Sequence, residues 1–229
     1  MTRDKYKNDI YFNDRINFYE KSLRRFLELE TEIPRERLRY VYAPLSDYYL
    51  KLVYNEYSKG GEIEKIFEYY KSSLYFYSLL YETKDSIYTL IDYLSLAVLF
   101  EDSKEEFIQD IEKIFSKYQA LVDAGEQYED GYIDTLALYL LEGQVENFRS
   151  HLEYLNMIGN DADSVIEAQQ FWYYAHSDAW WYDTHKADDA YDGYWSFDTA
   201  ALCKMRGIYD ERFKDLDFFP YDLLVQEDK

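Results

Sequence analysis

The sequence predicts an all-α fold, a compact multi-helix bundle with long antiparallel N-terminal helices and a shorter-helix C-terminal half. Three observations carry this. Apolar residues recur at three-four spacing over long stretches. Only eight Gly and three Pro punctuate 229 residues, which leaves room for long regular segments. No segment sustains period-two alternation between strand-like ends.

Phe12, Ile16, Tyr19, Leu23, Phe26, Leu29 and Ile33 fall on one stripe of a first helix. Pro34 ends it and suits the first turn of a second, expected over about 35–58. Pro44 marks where that helix would bend, because an internal proline removes a backbone donor and crowds the preceding turn. Gly60 and Gly61 stop it. Ile63, Ile66, Phe67, Tyr70, Leu74, Tyr77 and Tyr81 trace a third helix, and a fourth begins near Asp85 with Ile87, Leu90, Ile91, Leu94 and Val98 inward.

Ser103 and Glu106 have the spacing of a capping box, each side chain answering the other's free backbone amide. The fifth helix that follows is carried by Phe107, Ile111, Ile114 and Tyr118. Shorter helices are expected over about 132–141, 145–157, 164–181 and 195–206, separated by glycines. A repeat of about 34 residues with matching Trp, Gly and Tyr positions is lacking, which argues against a tetratricopeptide-like solenoid.

The formal charge is −21, which repels nucleic acid and anionic membrane surfaces and attracts a cationic partner. Residues 118–185 hold thirteen acidic side chains against Arg149 alone, a net of −12. Like charges held together on a folded surface cost stability, so a partner is expected to meet this face; a solvated acidic surface is the alternative. The candidate carboxylates are Asp123, Glu126, Glu129, Asp130 and Asp134, then Asp161 and Asp163, then Asp178 and Asp183. Cys203 is the single cysteine, so no intramolecular disulfide can form and a reducing cytoplasm is the default. Residues 1–30 lack the features of a signal peptide, and the longest apolar stretch, 93–100, is far short of the roughly 20 residues that span a bilayer. A soluble cytoplasmic protein is expected.

The most irregular stretch is also the most aromatic. Trp181, Tyr182, Asp183 and His185 lead to Tyr191, Gly193, Tyr194, Trp195, Ser196 and Phe197; Ala200, Ala201, Lys204, Gly207, Ile208 and Asp210 follow, and Pro220, Tyr221, Asp222 and Leu223 close the block. This pattern resembles the C-terminal signature of the PoNi-type immunity proteins, the cytoplasmic inhibitors of PoNe-type polymorphic DNase toxins. Tyr57, Ser58, Lys59, Gly60 and Gly61 look like the family's interhelical turn. The resemblance divides the chain into an N-terminal region, 1–118, and a C-terminal region, 119–229. Tyr209 departs from it, standing where the family often has a second acid before Asp210.

The resemblance implies an immunity protein of interbacterial competition that binds and neutralises a secreted antibacterial DNase, occluding its active site or DNA-binding channel. It implies no catalytic residue, cofactor or metal, and no direct contact with nucleic acid or membrane; pairing as a homodimer stays open. A DNA channel must be cationic, so the candidate carboxylates would stand where phosphates lie, with Tyr and Trp rings supplying rigid contact area. In the resemblance, Trp181, Asp183 and His185 lock the turn before Tyr191, with the histidine hydrogen-bonded to backbone or carboxylate.

Other readings weigh less. Twenty-eight Tyr invite a base-stacking reading, but such platforms flank basic grooves, and this chain has no obvious one. Tyr70, Tyr77, Tyr81 and Tyr118 sit at core spacing; Tyr128, Tyr173, Tyr174 and Tyr182 are left for an interface. His176, Asp178, Asp183 and His185 are ligand types without a metal-binding spacing. Paired carboxylates such as Glu28 with Glu32 or Asp130 with Asp134 are unavoidable by chance among 46 acids, and no phosphate loop, nucleophile elbow or Cys-His arrangement supports a carboxylate-based enzyme. Cys203 reads as a small apolar residue beside Ala200 and Ala201. A helical scaffold for another basic protein would share the acidic face.

Overall fold

The computed structural model describes residues 2–81, 86–145 and 147–226, and among them all regular structure is helical. The expected start of the fourth helix at Asp85 lies outside the described residues. Two compact units emerge, Met1–Tyr81 with Asp183–Tyr194, and Glu82–Tyr182 with Trp195–Lys229.

In the first unit α1 (Asp9–Glu30), α2 (Arg39–Lys59) and α3 (Ile63–Leu80) follow one another, with α1 and α3 both packed on α2. Asn8 caps α1 by accepting from the Tyr11 amide at 3.0 Å. The apolar stripe of α1 buries Ile16, Tyr19 and Leu23 against Val41, Leu45, Leu52 and Phe76, with Phe26, Leu29 and Ile33 partly covered at the edge. After Pro34 the chain winds first as a 3-10 turn, Arg35–Arg37, and Pro44 lies inside α2.

Gly60 closes α2 at φ +89°, a conformation that favours glycine, and Gly61 has a different reason to be there. A Cβ on Gly61 would stand 2.3 Å from the Glu56 carboxylate. Glu56 is buried and answered by Lys59 at 2.9 Å and Lys65 at 3.1 Å, so the turn forms around a paired charge. Arg3 donates to the Tyr57 and Gly61 carbonyls, each at 3.1 Å.

The segment Asp183–Tyr194 is tied down on α1 and α2 by polar groups. Asp192 accepts from Arg15 Nη2 at 2.8 Å, the Tyr19 hydroxyl at 3.0 Å and Asn55 Nδ2 at 2.8 Å. The Tyr11 hydroxyl donates to the Tyr191 carbonyl at 2.8 Å and accepts from its amide at 3.1 Å. The buried Tyr191 hydroxyl donates to Asp4, and burial together with that carboxylate raises its pKa. Asp183 turns the chain at φ +63°, and Tyr6 stacks on His185 at 4.2 Å. His185 is half-buried, its Nδ1 faces the Tyr194 hydroxyl at 3.2 Å, and desolvation lowers its pKa.

The second unit holds α4 (Ile87–Leu99), α5 (Ile108–Asp123), α6 (Gly131–Glu142), α7 (Glu153–Met157), α8 (Ala162–Ala175), α9 (Phe197–Arg206) and α10 (Tyr221–Val225). Helix α4 is buried from Tyr93 through Leu99 and packs on α6 and α9, as expected of a helix apolar on nearly every face. Ala200 and Ala201 are fully buried on α9, small enough to let the two helices approach closely. Lys204 then reaches the free end of α4, donating to the Leu99 carbonyl at 3.0 Å, and Gln226 donates to the same oxygen at 2.7 Å. Asp198 is buried, accepting from the Tyr154 hydroxyl, Trp172 Nε1 at 3.1 Å and the Thr199 amide at 2.7 Å; its own carbonyl accepts from Tyr132 at 2.6 Å. Burial raises the Asp198 pKa and pushes the Cys203 thiol up to about 12, so that cysteine is an apolar residue in practice.

Several expectations need correcting. The Ser103–Glu106 capping box does not form: Ser103 lies inside a 3-10 stretch, Glu101–Glu106, with its amide bonded to the Phe100 carbonyl at 3.0 Å. The fifth helix begins only at Ile108, after Phe107 has been buried. The helix expected over 145–157 shrinks to α7, because Ser150 and His151 turn aside to satisfy Asp130. Helix α8 ends at Ala175, where His176 Nδ1 takes up the Trp172 carbonyl at 2.7 Å and the following turns stack Trp181 on Trp172 at 5.7 Å. The turns at Glu211–Asp215 and Tyr221–Val225 were not foreseen. No helix among the described residues is long and apolar enough to cross a membrane.

Asp192→Ala should destabilise the protein by about 2–3 kcal/mol, since it removes the acceptor that Arg15, Tyr19 and Asn55 share in a sheltered place. Urea unfolding measures this, and limited proteolysis should show new cleavage within residues 183–194.

Candidate functional site

The acidic stretch after α5 is built around one buried carboxylate. Leaving α5, the chain folds back so that the Glu126 and Gln127 amides reach the Leu121 carbonyl at 2.9 and 3.2 Å. It then meets the helix again at Tyr118, whose hydroxyl accepts from the Asp130 amide at 2.7 Å. The Asp130 carboxylate caps α6 through the Tyr132 amide at 2.9 Å and also takes the Ser150 hydroxyl at 3.0 Å, the His151 amide at 2.8 Å and His151 Nδ1 at 3.0 Å. At 1% exposure Asp130 cannot reach a partner. As a contact residue it is therefore misplaced: four donors from two segments hold it inside, as a buried carboxylate requires.

Between these anchors stands Tyr128, 82% exposed, with Glu126 and Glu129 exposed on either side and Asp123 exposed at the end of α5. Asp134, in the first turn of α6, is half-buried. Loss of water, with Glu129 and Asp130 as like charges nearby, raises its pKa to about 6. Asp123 at the end of α5, Glu126 and Glu129 on the loop and Asp134 in the first turn of α6 thus flank exposed Tyr128 along the chain, and the loop backbone is fixed from beneath.

The remaining candidates are spoken for within the chain. Exposed Asp161 caps α8, accepting from the Ser164 amide at 2.9 Å. Exposed Asp163 pairs with Arg212 at 2.8 Å, and Asp210 holds the same guanidinium; pairs this open add little to stability. Asp178 accepts from the Tyr88 hydroxyl at 2.8 Å, and desolvation with that bond pushes Tyr88 up to about 12. Asp183 belongs to the first unit and pairs with Lys186 at 2.6 Å.

Among the tyrosines, Tyr70, Tyr77, Tyr81 and Tyr118 are buried as their spacing implied, while Tyr128 and Tyr174 are exposed. Tyr173 and Tyr182 stack on each other at 4.5 Å, and Tyr173 also stacks on Phe218 at 5.2 Å, so both are largely occupied in packing. His176 is walled by Tyr88, Tyr154, Trp172 and Trp181. Among the described residues no three His, Cys, Asp or Glu side chains gather as a site for a metal ion. The outward face of α8 was overlooked: Phe171 and Glu167 are exposed opposite buried Val165, Ala168 and Trp172. Helical spacing alone would have placed them there.

Two family models match this sequence: PoNe immunity protein (PoNi), N-terminal, over residues 1–111, and PoNe immunity proteins (PoNi), C-terminal, over residues 159–223. No curated protein and no solved structure matches.

Asp130→Ala should cost about 2–4 kcal/mol, because it strands the amides of Tyr132 and His151 and removes the α6 cap; denaturant titration reads this. Asp134→Asn should act in the opposite direction. Its folded pKa lies near 6, above the ordinary carboxyl value of 3.8. The carboxyl is therefore neutral in both states below about pH 4 and penalises the folded state increasingly as pH rises through 6. The Asn variant should gain about 1 kcal/mol at pH 7.5, discounted for partial access of water, and nothing at pH 4.

Proposed function

Because the chain belongs to the PoNe immunity protein (PoNi) family, whose members are immunity proteins to PoNe nuclease toxins, we propose that it silences its cognate nuclease by placing a fixed acidic surface over that enzyme's active site or in its DNA channel. The normal occupant of such a channel is a polyanion, so a protein that takes its place must meet the same cations. One observation carries the reading: exposed Asp123, Glu126 and Glu129 and half-buried Asp134 flank exposed Tyr128 along a stretch pinned by Tyr118 and Asp130.

A pinned loop loses little freedom on docking, and an exposed ring adds apolar area at small rotamer cost. Loss of water raises the Asp134 pKa, with Glu129 and Asp130 adding like charge, and an arriving cation offsets that repulsion. Asp161, Asp163 and Asp178 extend the anionic field, which speeds encounter more than it deepens affinity. Asp130 serves from within the fold, and Asp183 is paired with Lys186. On this reading the protein acts in the cytoplasm by binding alone, without catalysis, cofactor or metal, and touches neither nucleic acid nor membrane. Regions 1–118 and 119–229 are its two family segments.

Co-expression with the cognate toxin tests protection, and binding kinetics test the mechanism. Association should slow about tenfold or more between 50 and 500 mM salt, and Glu126→Lys, Glu129→Lys and Asp134→Lys together should weaken the complex. A cation beside Asp134 favours its ionised form, so complex formation below about pH 6 must release a proton. Affinity should therefore fall as pH drops from 7.5 to 5.5. Binding indifferent to salt and to all three reversals would end the phosphate-mimic mechanism even if protection survived.

A further inference from the structure

Helix α8 is buried along one side, and at the start of its other side exposed Asp163 pairs with Arg212. Val165, Ala168, Gln169 and Trp172 are buried, and on the opposite side Asp163, Glu167, Gln170, Phe171 and Tyr174 are exposed. Phe171 is 50% exposed and Tyr174 69% exposed, and at i and i+3 the two rings are neighbours on the helix surface. The fold does not require either ring there, since α8 is already anchored through its other face.

The helix carries no Lys or Arg, and Asp163 and Glu167 lie on the same stripe as the rings. An aromatic face accepts a guanidinium above it, and a carboxylate beside that face takes the same group's N–H donors. A second copy of this chain would bring its own excess of negative charge against the stripe, and an anionic membrane would be repelled as well.

We propose that this outer stripe of α8 is a second contact with the nuclease, in which Phe171 and Tyr174 receive an arginine-bearing patch and Glu167 frames it. The proposal rests on the reading above, that the partner is a cationic nuclease. It differs in where the affinity lies: the rings hold the complex, while the acidic loop steers it.

The test is Phe171→Ala and Tyr174→Ala, singly and together, in the full chain, with binding to the toxin's nuclease domain followed by kinetics. The double variant should raise Kd about thirtyfold through faster dissociation, with the salt dependence of association unchanged. Should the double substitution lower the unfolding midpoint, Tyr174→Ala alone, at the more exposed ring, is expected to weaken binding at least about fivefold. A folded double variant that binds like the unsubstituted chain, while the Glu126 and Glu129 reversals still weaken binding, overturns the stripe and leaves the acidic-loop reading standing. An unsubstituted chain that does not bind the nuclease overturns both. Sedimentation adds a third arm: a double variant that loses self-association and keeps full nuclease affinity makes the stripe a self-pairing face and ends the proposal.

Discussion

A tyrosine hydroxyl donating to a carboxylate is the interaction on which this structure repeatedly relies. Tyr19 donates to Asp192 and Tyr191 to Asp4, Tyr69 to Glu20, Tyr88 to Asp178, Tyr139 to Glu101 and Tyr154 to Asp198. With 46 acidic and 25 basic side chains there are too few cations to answer every carboxylate. A phenol supplies a neutral donor and an apolar ring together, so it can follow a carboxylate into places where an ammonium would itself need solvation. Burial and the neighbouring carboxylate raise the pKa of these hydroxyls, which keeps them protonated and donating. Phenylalanine at the same positions would fill the space and take one donor from each carboxylate.

The same residue type therefore has two occupations, separated by burial. Asp130 and Glu129 are adjacent in sequence, yet one is saturated with donors inside the fold and the other stands in water. The interior carboxylate fixes the backbone that presents the exterior one. A surface with a high density of negative charge needs this support, because repulsion alone would spread the loop that carries it. Asp134 lies between the two conditions, and its pKa near 6 reflects that position.

The residues that carry the family likeness do interior work. Ala200 and Ala201 sit buried on α9, which packs on α4, Lys204 caps α4, and Tyr191 fastens its segment to α1. Such a division lets a shared body carry different contact surfaces, since exposed positions on a fixed loop or helix face can change without disturbing the core.

The sequence by itself determined the all-α class, the inward stripes of α1, α3, α4 and α5, and the breaks at Pro34 and Gly60. These are local: a helix face is encoded by spacing within the helix itself. It also located the acidic stretch, because charge is counted along the chain. Only the tertiary structure decided that Ser103 would not cap a helix, that residues 147–152 would not form one, that Asp192 would fasten a distant segment and that Asp130 would be buried. Each of those outcomes depends on where a carboxylate or an amide finds its partner, and for Asp192 and Asp130 the partners come from segments far away in sequence, which no local pattern records.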